Sequence, residues 1–266
     1  MQIYALALEK GGVGKTCLAV NLAAAFSRLN LRVLLIDLDA QAHATHWLGL
    51  SAASIRPEDS VLGVLNGRVL SECVRTTTVG VDVLPAHAAL ASLPVQLATA
   101  PNSGLFVLQD ALGQLSQPAP SYDVIVCDLA PARGPVLATA LAAATRCIVP
   151  VQPEDLVMRA LQALAESVGQ AQRVNPQLRG MSIVRNRYAP RSAGDQIYDQ
   201  LLRESYRAQL LQTILPVRAA LRDSAGLQQS IFRYNGPDAN EVRNLFLDLV
   251  DELIKLDGAT HANQSR

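Results

Sequence analysis

Lysine is almost absent from this sequence of 266 residues. The chain carries 23 basic residues, yet only three of them are lysines, at positions 10, 15 and 255. Arginine therefore serves wherever a generic cation suffices, and a lysine in this background indicates a need for a compact ammonium group. Lys10 and Lys15 fall inside one seven-residue stretch near the N-terminus, so this stretch is the first candidate for a functional site.

Long apolar runs, paired cysteines and a secretory leader are also missing. No stretch reaches the roughly 18 apolar residues that a membrane-spanning helix needs, and Met1 to Ala5 lacks the basic start of a signal peptide. The cysteines occur without C-x-x-C spacing, which disfavours disulfides and metal sites and predicts reduced thiols in a cytoplasmic protein. The cysteines are Cys17, Cys73, Cys127 and Cys147.

The charges are balanced overall but unevenly distributed. The formal net charge is zero, because 23 basic residues face 23 acidic ones. Residues 173–243 contain 11 arginines and 6 acidic residues, so this segment has a net charge of +5. An excess of this kind favours a surface that binds a polyanion.

Short apolar runs alternate with segments of helical periodicity along most of the chain. This pattern indicates an α/β fold, a doubly wound and mostly parallel sheet with helices on both faces. We expect a single domain over residues 1–257 and a flexible C-terminal tail at 258–266. The predicted strands are 3–8, 32–37, 81–85, 122–128, 146–151, 181–187 and 213–215. The predicted helices are 17–29, 103–115, 136–144, 156–174, 217–229 and 238–256.

The first predicted strand leads directly into a glycine-rich loop at 10–16, which has the P-loop pattern and opens a helix. Glycines let backbone N–H groups turn inward around phosphate oxygens, and the positive end of the helix adds to the attraction. In this pattern Lys15 reaches the β- and γ-phosphates, and the Thr16 hydroxyl binds Mg²⁺. The predicted phosphate-binding residues are Lys10, Gly11, Gly12, Val13, Gly14, Lys15, Thr16 and Cys17.

Lys10, at the start of the loop, gives it the form K-G-G-x-G-K-[TS], the deviant Walker A motif. With this motif the sequence resembles the ParA/MinD family of dimerising ATPases, and the ParA branch most closely, over residues 1–256. The resemblance implies ATP and Mg²⁺ as cofactors and a sandwich homodimer that forms on ATP binding. It also implies that Lys10 reaches the partner's nucleotide, where it stabilises charge during phosphoryl transfer.

Acidic residues at two strand ends extend the resemblance. Residues 33–41 are similar to the family segment V-L-L-I-D-x-D-P-Q, with Ala40 in place of the proline. By this likeness Asp37 supports Mg²⁺ through water, Asp39 orients or activates the attacking water, and Asp128 holds Mg²⁺ from a Walker B strand. The predicted catalytic residues are therefore Lys10, Lys15 and Asp39, and the predicted metal-binding residues are Thr16, Asp37 and Asp128.

Two later segments resemble the base-binding elements of the family. Asn186 lies in a strand whose asparagine contacts adenine in the family, and Pro216 ends a strand that flanks the base. ParA-type dimers bind DNA non-specifically and release it when a ParB-type centromere-binding partner stimulates hydrolysis. The arginine-rich segment suits such a DNA surface, although Pro216-Val217-Arg218 departs from the family's P-R-N. The candidate DNA contacts are Arg185, Arg187, Arg191, Arg218, Arg222 and Arg233.

Plasmid or chromosome partition by a nucleoid-associated ATPase is the favoured function, and three alternatives stay open. A relative that positions a protein cargo on the nucleoid would use the same chemistry. A MinD-like septum-site ATPase would need a basic amphipathic C-terminal helix, but the last predicted helix is acidic, so we expect no membrane partner. A metabolic P-loop kinase or synthetase would not need Lys10. Because the loop begins at residue 10, we expect no helix-turn-helix domain before it.

Overall fold

The apolar runs of the sequence form strands of one central sheet. The structure is a computed structural model that describes residues 1–116, 122–152, 154–189 and 192–264. The strands are β1 (Gln2–Leu6), β2 (Val33–Leu38), β3 (Arg75–Thr76), β4 (Asp82–Leu84), β5 (Val124–Leu129), β6 (Arg146–Val151), β7 (Met181–Tyr188) and β8 (Leu210–Pro216). Their order across the sheet is β3-β4-β2-β5-β1-β6-β7-β8, and every pair is parallel except β3 with β4.

Helices connect most of the strands and cover both faces of the sheet. They are α1 (Lys15–Arg28), α2 (His43–Trp47), α3 (Val61–Leu65), α4 (Leu70–Cys73), α5 (Leu93–Thr99), α6 (Val107–Gly113), α7 (Pro135–Ala143), α8 (Asp155–Gln172), α9 (Ala193–Tyr206), α10 (Ala219–Gly226) and α11 (Ala239–Gln264). This arrangement confirms the predicted doubly wound α/β class.

The core has two layers, because successive side chains of a strand point to opposite faces of the sheet. On β1, Ile3 and Ala5 belong to the layer that packs under helices α5 to α8, whereas Tyr4 and Leu6 belong to the layer under α1 and α11. The ring of Tyr4 stacks on Phe26 of α1 with 5.4 Å between the centroids. Burial on both faces explains why the strands are continuous apolar runs.

Parallel pairing brings the functional strand ends together at one edge of the sheet. β5 lies between β1 and β2, and Asp37 on β2 is the register partner of Asp128 on β5. On the other side of β5, Leu6 at the end of β1 is also paired with Asp128. Because neighbouring strands lie roughly 4.8 Å apart, the glycine-rich loop after β1 and the two carboxylates share one site.

The helix α9 differs most from the sequence prediction, which has no helix between β7 and β8. Its buried residues are Asp199 and Leu202, and Ile197 on its outer face is 61% exposed, so few apolar residues mark the inner face of this otherwise amphipathic helix. One local signal does mark its start. Ser192 accepts a hydrogen bond from the Asp195 backbone N–H at 3.3 Å, in an S-x-x-D pattern typical of a helix N-terminus.

A buried ion-pair network fixes the last helix to the sheet. Asp257 on α11 accepts hydrogen bonds from Tyr4 Oη (2.6 Å) and Arg146 Nη2 (2.7 Å), and Arg179 Nη1 lies 2.8 Å from its Oδ1. The helix continues to Gln264 and so includes residues 258–264, for which the polar sequence predicts a flexible tail. The domain boundary at 257 stays a prediction. None of the helices in the described ranges has the length and apolar character that crossing a bilayer requires.

Candidate nucleotide-binding and catalytic site

The phosphate loop between β1 and α1 requires glycine at two positions. Gly12 and Gly14 have φ angles of 77° and 87°, a left-handed region that residues with a side chain rarely adopt. At Gly14, which immediately precedes α1, a Cβ atom would also lie 2.5 Å from Nδ2 of Asn186. The backbone of the loop therefore approaches β7 closely, and the positive end of α1 opens onto the site.

The end of β7 holds this loop in place. Asn186 donates a hydrogen bond from Nδ2 to the Val13 carbonyl oxygen (2.7 Å), and Arg187 donates from Nη1 to the Gly12 carbonyl oxygen (3.0 Å). Arg187 adopts a φ of 54° where the pairing of β7 with β8 is irregular. The predicted base contact Asn186 is thus beside the phosphate loop, and Arg187, predicted as a DNA contact, binds the loop itself.

Lys15 lies inside its own loop. The residue is 7% exposed, and Nζ donates hydrogen bonds to the carbonyl oxygens of Leu8 (3.0 Å) and Lys10 (3.1 Å). Burial lowers the pKa of Lys15, while the carboxylates of Asp128 and Asp39 oppose that shift. An ammonium group in this position fits the predicted contact with the β- and γ-phosphates.

Asp37 and Asp39 follow the same strand but have different environments. Asp37 is fully buried, and it accepts hydrogen bonds from Thr45 N (2.8 Å), Thr45 Oγ1 (2.7 Å) and the Asp39 backbone N–H (3.1 Å). Burial raises the pKa of Asp37 to about 6, although the hydrogen bonds from Thr45 oppose this. Asp39 is only half-buried, and its Oδ1 accepts from the Gln41 N–H at 2.9 Å. Asp37 is therefore a fixed group and Asp39 faces more open space.

Asp128 is the unusual carboxylate of the site. It is 1% exposed, and neither carboxylate oxygen has a hydrogen-bond partner of good geometry among the described residues. Burial and the charge of Asp37 raise the pKa of Asp128 well above its usual range, while the Thr16 hydroxyl and Lys15 act in the opposite direction. Unpaired carboxylate oxygens beside a hydroxyl form the hard oxygen donor set that suits Mg²⁺. The predicted metal-binding residues Thr16, Asp37 and Asp128 therefore lie together and fit this cation.

The other predicted catalytic lysine, Lys10, is not held within the loop. Its Nζ forms an ion pair with Glu154, which immediately precedes α8, and its side chain is 21% exposed. A second ion pair lies nearby, between Arg133 in the loop after β5 and Glu9. Both cations therefore lie at the surface of the loop edge and pair with glutamates of the same chain.

A cavity of about 430 Å³ adjoins the phosphate loop. Gly14 and Cys17 line one side of it, and Asn186 and Pro216, the predicted base contacts, line another. The structure adds residues that the sequence did not indicate as part of a nucleotide site, because they come from distant parts of the chain. These are Trp47, Val217, Ala219, Leu221 and Ala225. Arg218 and Arg222, predicted as DNA contacts, also line this cavity.

The cysteines of the described residues are all free thiols. Cys73, Cys127 and Cys147 are buried in the core, as their scattered spacing predicts. Cys17 is the third residue of α1, and burial raises the pKa of its thiol to about 12. It is therefore a neutral thiol at physiological pH, and its predicted contribution to phosphate binding is through its backbone N–H.

The prediction that Arg185 contacts DNA is wrong. This residue is 2% exposed, because β7 lies between β6 and β8 and the side chain extends from it toward α9. The guanidinium pairs with Asp199 of α9 (3.2 Å) and donates to the carbonyl oxygen of Leu211 (2.9 Å). This arginine connects β7, β8 and α9 inside the protein.

The remaining candidate arginines differ in how much of their charge reaches the surface. Arg218 pairs with Glu241 at 2.6 Å. Arg222 has a side chain that is 81% exposed and pairs with its neighbour Asp223, and Arg233 is exposed and donates to the Thr78 carbonyl oxygen at 2.6 Å. Arg191 lies outside the described residues.

Comparison with known proteins places the chain in a family. A family model described as an AAA domain matches residues 1–180. The chain is 34% identical to the chromosome-partitioning ATPase Soj of Thermus thermophilus over 244 residues, which cover 91% of this chain and 92% of that protein. The chain belongs to the ParA/MinD family of ATPases. Within it this ParA-type chain is 30% identical to the chromosome partitioning protein ParA of Myxococcus xanthus, over 88% of its own length and 82% of the relative's.

A solved structure supports the fold of this ParA-type chain. The crystal structure of cobyrinic acid a,c-diamide synthase from Mycobacterium smegmatis with bound ATP analog and magnesium superimposes on this chain with a TM-score of 0.80. It covers 100% of this chain and 97% of its own at 24% identity. At that identity the likeness concerns the fold, and the chemistry of this chain has to be argued from its own residues.

Proposed function

We propose that this chain is a Mg²⁺-dependent ATP hydrolase that acts in plasmid or chromosome partition. The observation that carries the proposal is the different placement of the two loop lysines. Lys15 bonds to carbonyl oxygens inside the phosphate loop, whereas Lys10 pairs with Glu154 outside it. Because no carbonyl oxygen of its own loop binds its ammonium group, Lys10 can exchange Glu154 for the nucleotide of a second copy. The bound ATP analog and magnesium named for the solved structure of the same fold support the choice of ligands.

Each residue of the site has a defined role in this proposal. Lys15 contacts the β- and γ-phosphates, and the N–H groups at the start of α1 surround the phosphate oxygens. Thr16 and Asp128 would hold Mg²⁺, and Asp37 would support the ion through water. Asp39, which is less buried than Asp37, orients the attacking water. Bound Mg²⁺ supplies positive charge to the β- and γ-phosphates.

Lys10 completes the site of the partner subunit in an ATP-dependent homodimer. The test compares Lys10→Ala with Lys255→Ala, a matched control in which an exposed lysine on α11 loses its pair with Asp251. With a non-hydrolysable ATP analogue, sedimentation velocity should show a dimer for the wild type and the control, and a monomer for Lys10→Ala. Binding of Mg-ADP by calorimetry should be equal in all three.

Lys10→Ala with normal dimerisation and normal hydrolysis would contradict the proposal. That result would favour the other enzyme class, a P-loop kinase or synthetase, which completes its chemistry within one subunit. The wild-type protein should also hydrolyse ATP slowly when it is alone, because the proposed catalytic lysine is paired with Glu154 in the single subunit.

The ATP-bound dimer binds duplex DNA without sequence preference in this proposal, which places it on the nucleoid. Support comes from the exposed guanidinium groups of Arg222 and Arg233. Fluorescence anisotropy with random-sequence duplex should show tighter binding with the ATP analogue than with ADP. Arg222→Ala and Arg233→Ala should each lower the slope of log K against log salt by about 1, the value for one phosphate contact.

Arg32→Ala provides a matched control for the DNA measurements. Its side chain is 51% exposed and pairs with Asp123 at the amino end of β2, a position for which the sequence predicts no DNA contact. It should leave DNA affinity and its salt dependence unchanged. Equal effects of all three substitutions would point to a general loss of charge and contradict a localised DNA surface.

A ParB-type centromere-binding protein is the proposed partner, and it should raise the rate of ATP hydrolysis in the presence of DNA. The nearest alternative is a protein cargo carried on the nucleoid, which uses the same nucleotide site. A complete lack of ATP-dependent DNA binding at low salt would exclude partition by this route and favour direct recruitment of a protein. A basal hydrolysis rate that is high and unaffected by DNA or partner would contradict both.

The structure of α11 disfavours the MinD-like alternative. Most of the large apolar residues of this helix are buried against the core, and Ile254 and Leu256 are the exposed ones among the described residues, so the helix has no continuous free membrane-binding face. The buried residues are Val242, Phe246, Leu249, Val250 and Leu253. Binding to vesicles of anionic phospholipid in the presence of ATP would contradict this conclusion.

A further inference from the structure

The cavity beside the phosphate loop contains the single tryptophan of the chain. Trp47 ends the short helix α2 and lines this cavity together with Gly14 and Asn186. Its ring is only half-buried, so part of the ring surface faces the open space of the cavity. Aromatic residues make up 4% of the chain, and a tryptophan at the surface exposes a large apolar area to water. A bound ligand that covers the ring would remove this exposure.

The position of the ring is fixed by a hydrogen bond. The indole Nε1 of Trp47 donates to the Gln229 carbonyl oxygen at 2.7 Å. Helix α2 is also tied to the cation site, since Thr45 donates to Asp37 at 2.7 Å. The indole N–H is therefore already satisfied, and the exposed part of the ring offers an apolar, aromatic surface.

We propose that Trp47 is the aromatic wall of the nucleoside pocket, where its ring packs against the base or ribose of a bound purine nucleotide. This inference rests on the proposed ATP binding. It follows from the position of the ring in the cavity that Gly14 of the phosphate loop, Asn186 and Pro216 also line. Phosphates bound at the loop direct the rest of the nucleotide into this space, and an aromatic ring binds a base through its face whatever hydrogen bonds the base makes.

The wild-type protein provides a direct readout, because all tryptophan emission comes from one residue. Titration with Mg-ADP should change the intensity or wavelength of this emission, with a midpoint equal to the dissociation constant from calorimetry. Titration with Mg-tripolyphosphate, which fills the phosphate loop but has no base, should leave the emission almost unchanged.

Substitutions at the same position separate stacking from a merely structural role. Trp47→Ala should weaken Mg-ADP binding about tenfold, whereas Trp47→Phe should retain most of the affinity. Neither should change the affinity for Mg-tripolyphosphate. His46→Ala is the matched control, because it removes a contact between α2 and the loop at Gln228 without touching the cavity wall. It should bind Mg-ADP like the wild type.

The possible results distinguish this inference from the proposed function. If the wild type binds Mg-ADP by calorimetry, but its emission does not change and Trp47→Ala binds normally, Trp47 is not part of the pocket and ATP binding stands. If Trp47→Ala does not fold, the emission of the wild type decides the question, because it should change with Mg-ADP and stay almost constant with Mg-tripolyphosphate. If the wild type binds no nucleotide at all, both the inference and the proposed function are wrong.

Discussion

Replacing Asp128 by asparagine should stabilise the nucleotide-free protein and at the same time remove its response to Mg²⁺. Asp128 is 1% exposed, and neither carboxylate oxygen has a hydrogen-bond partner of good geometry among the described residues. A buried polar group without such a partner is costly, and it is more costly if it is charged. Asparagine keeps the shape of the side chain and removes the charge, so the gain is the difference between the two costs. We therefore expect a gain of about 1–2 kcal/mol, or roughly 2–8 °C in Tm for a chain of this length.

The size of this gain should depend on pH in a defined direction. Burial and the neighbouring Asp37 raise the pKa of Asp128 well above its usual range, whereas an unfolded aspartate has a pKa of about 3.9. Below pH ~4 the group is protonated in both states and the folded wild type has its full stability. As the pH rises through the raised pKa, the folded state loses stability relative to the unfolded state. The gain from Asp128→Asn should thus be largest near pH 8 and smallest near pH 4.

Differential scanning fluorimetry of both proteins between pH 5 and pH 8, with and without Mg-ADP, measures these effects. The wild type should gain stability from Mg-ADP by mass action, and Asp128→Asn should lose the part of this gain that requires Mg²⁺. Asp123→Asn is the control, since Asp123 forms an exposed ion pair with Arg32 that should contribute no more than about 1 kcal/mol. A variant Asp128→Asn that is less stable than the wild type at pH 8 would refute the reasoning.

Three further substitutions test other contacts. Glu154→Gln removes the carboxylate that holds Lys10, so ATP-dependent dimerisation measured by sedimentation should tighten about two- to fivefold. Asp257→Ala removes the carboxylate that pairs with the buried guanidinium of Arg146, and urea denaturation should show a loss of about 3–5 kcal/mol. Arg187→Ala removes a hydrogen bond to the phosphate loop, so Mg-ADP binding by calorimetry should weaken about threefold to tenfold with little change in Tm.

Much of the central sheet could be predicted from the sequence because its strands are buried on both faces. Every residue of β2, Val33–Leu38, is buried, and the same holds for β5 and β6. Such strands leave a continuous apolar run, and the β-branched residues within it favour a strand over a buried helix. The phosphate loop was predictable for a similar reason, since the left-handed backbone at Gly12 and Gly14 restricts those positions to glycine.

The parts that could not be predicted depend on contacts between distant residues. Arg185 has the appearance of a surface cation in the sequence, and only the fold brings Asp199 of α9 to pair with it. The same ion pair makes α9 difficult to predict from the sequence, because it places the charged Asp199 on the inner face of the helix. Trp47 is fixed by Gln229, a residue 182 positions later in the chain. Periodicity and local motifs carry no information about such pairs, so the base cavity could be predicted only at Asn186 and Pro216.

The ion pairs at the loop edge give a physical reason why ATP, rather than ADP, should drive the proposed dimer. To reach the partner's nucleotide, Lys10 has to leave Glu154, and in a two-fold symmetric dimer both copies make this exchange. Breaking an exposed ion pair of this kind costs about 0–1 kcal/mol. A charge-assisted contact with a phosphate in a water-excluded interface is worth more than that, but only a γ-phosphate carries charge far enough out of the loop to meet the incoming ammonium. With ADP, Lys10 would lose its ion pair with Glu154 and would gain no contact with a γ-phosphate. Lys10 should therefore stay with Glu154, and the protein should stay monomeric.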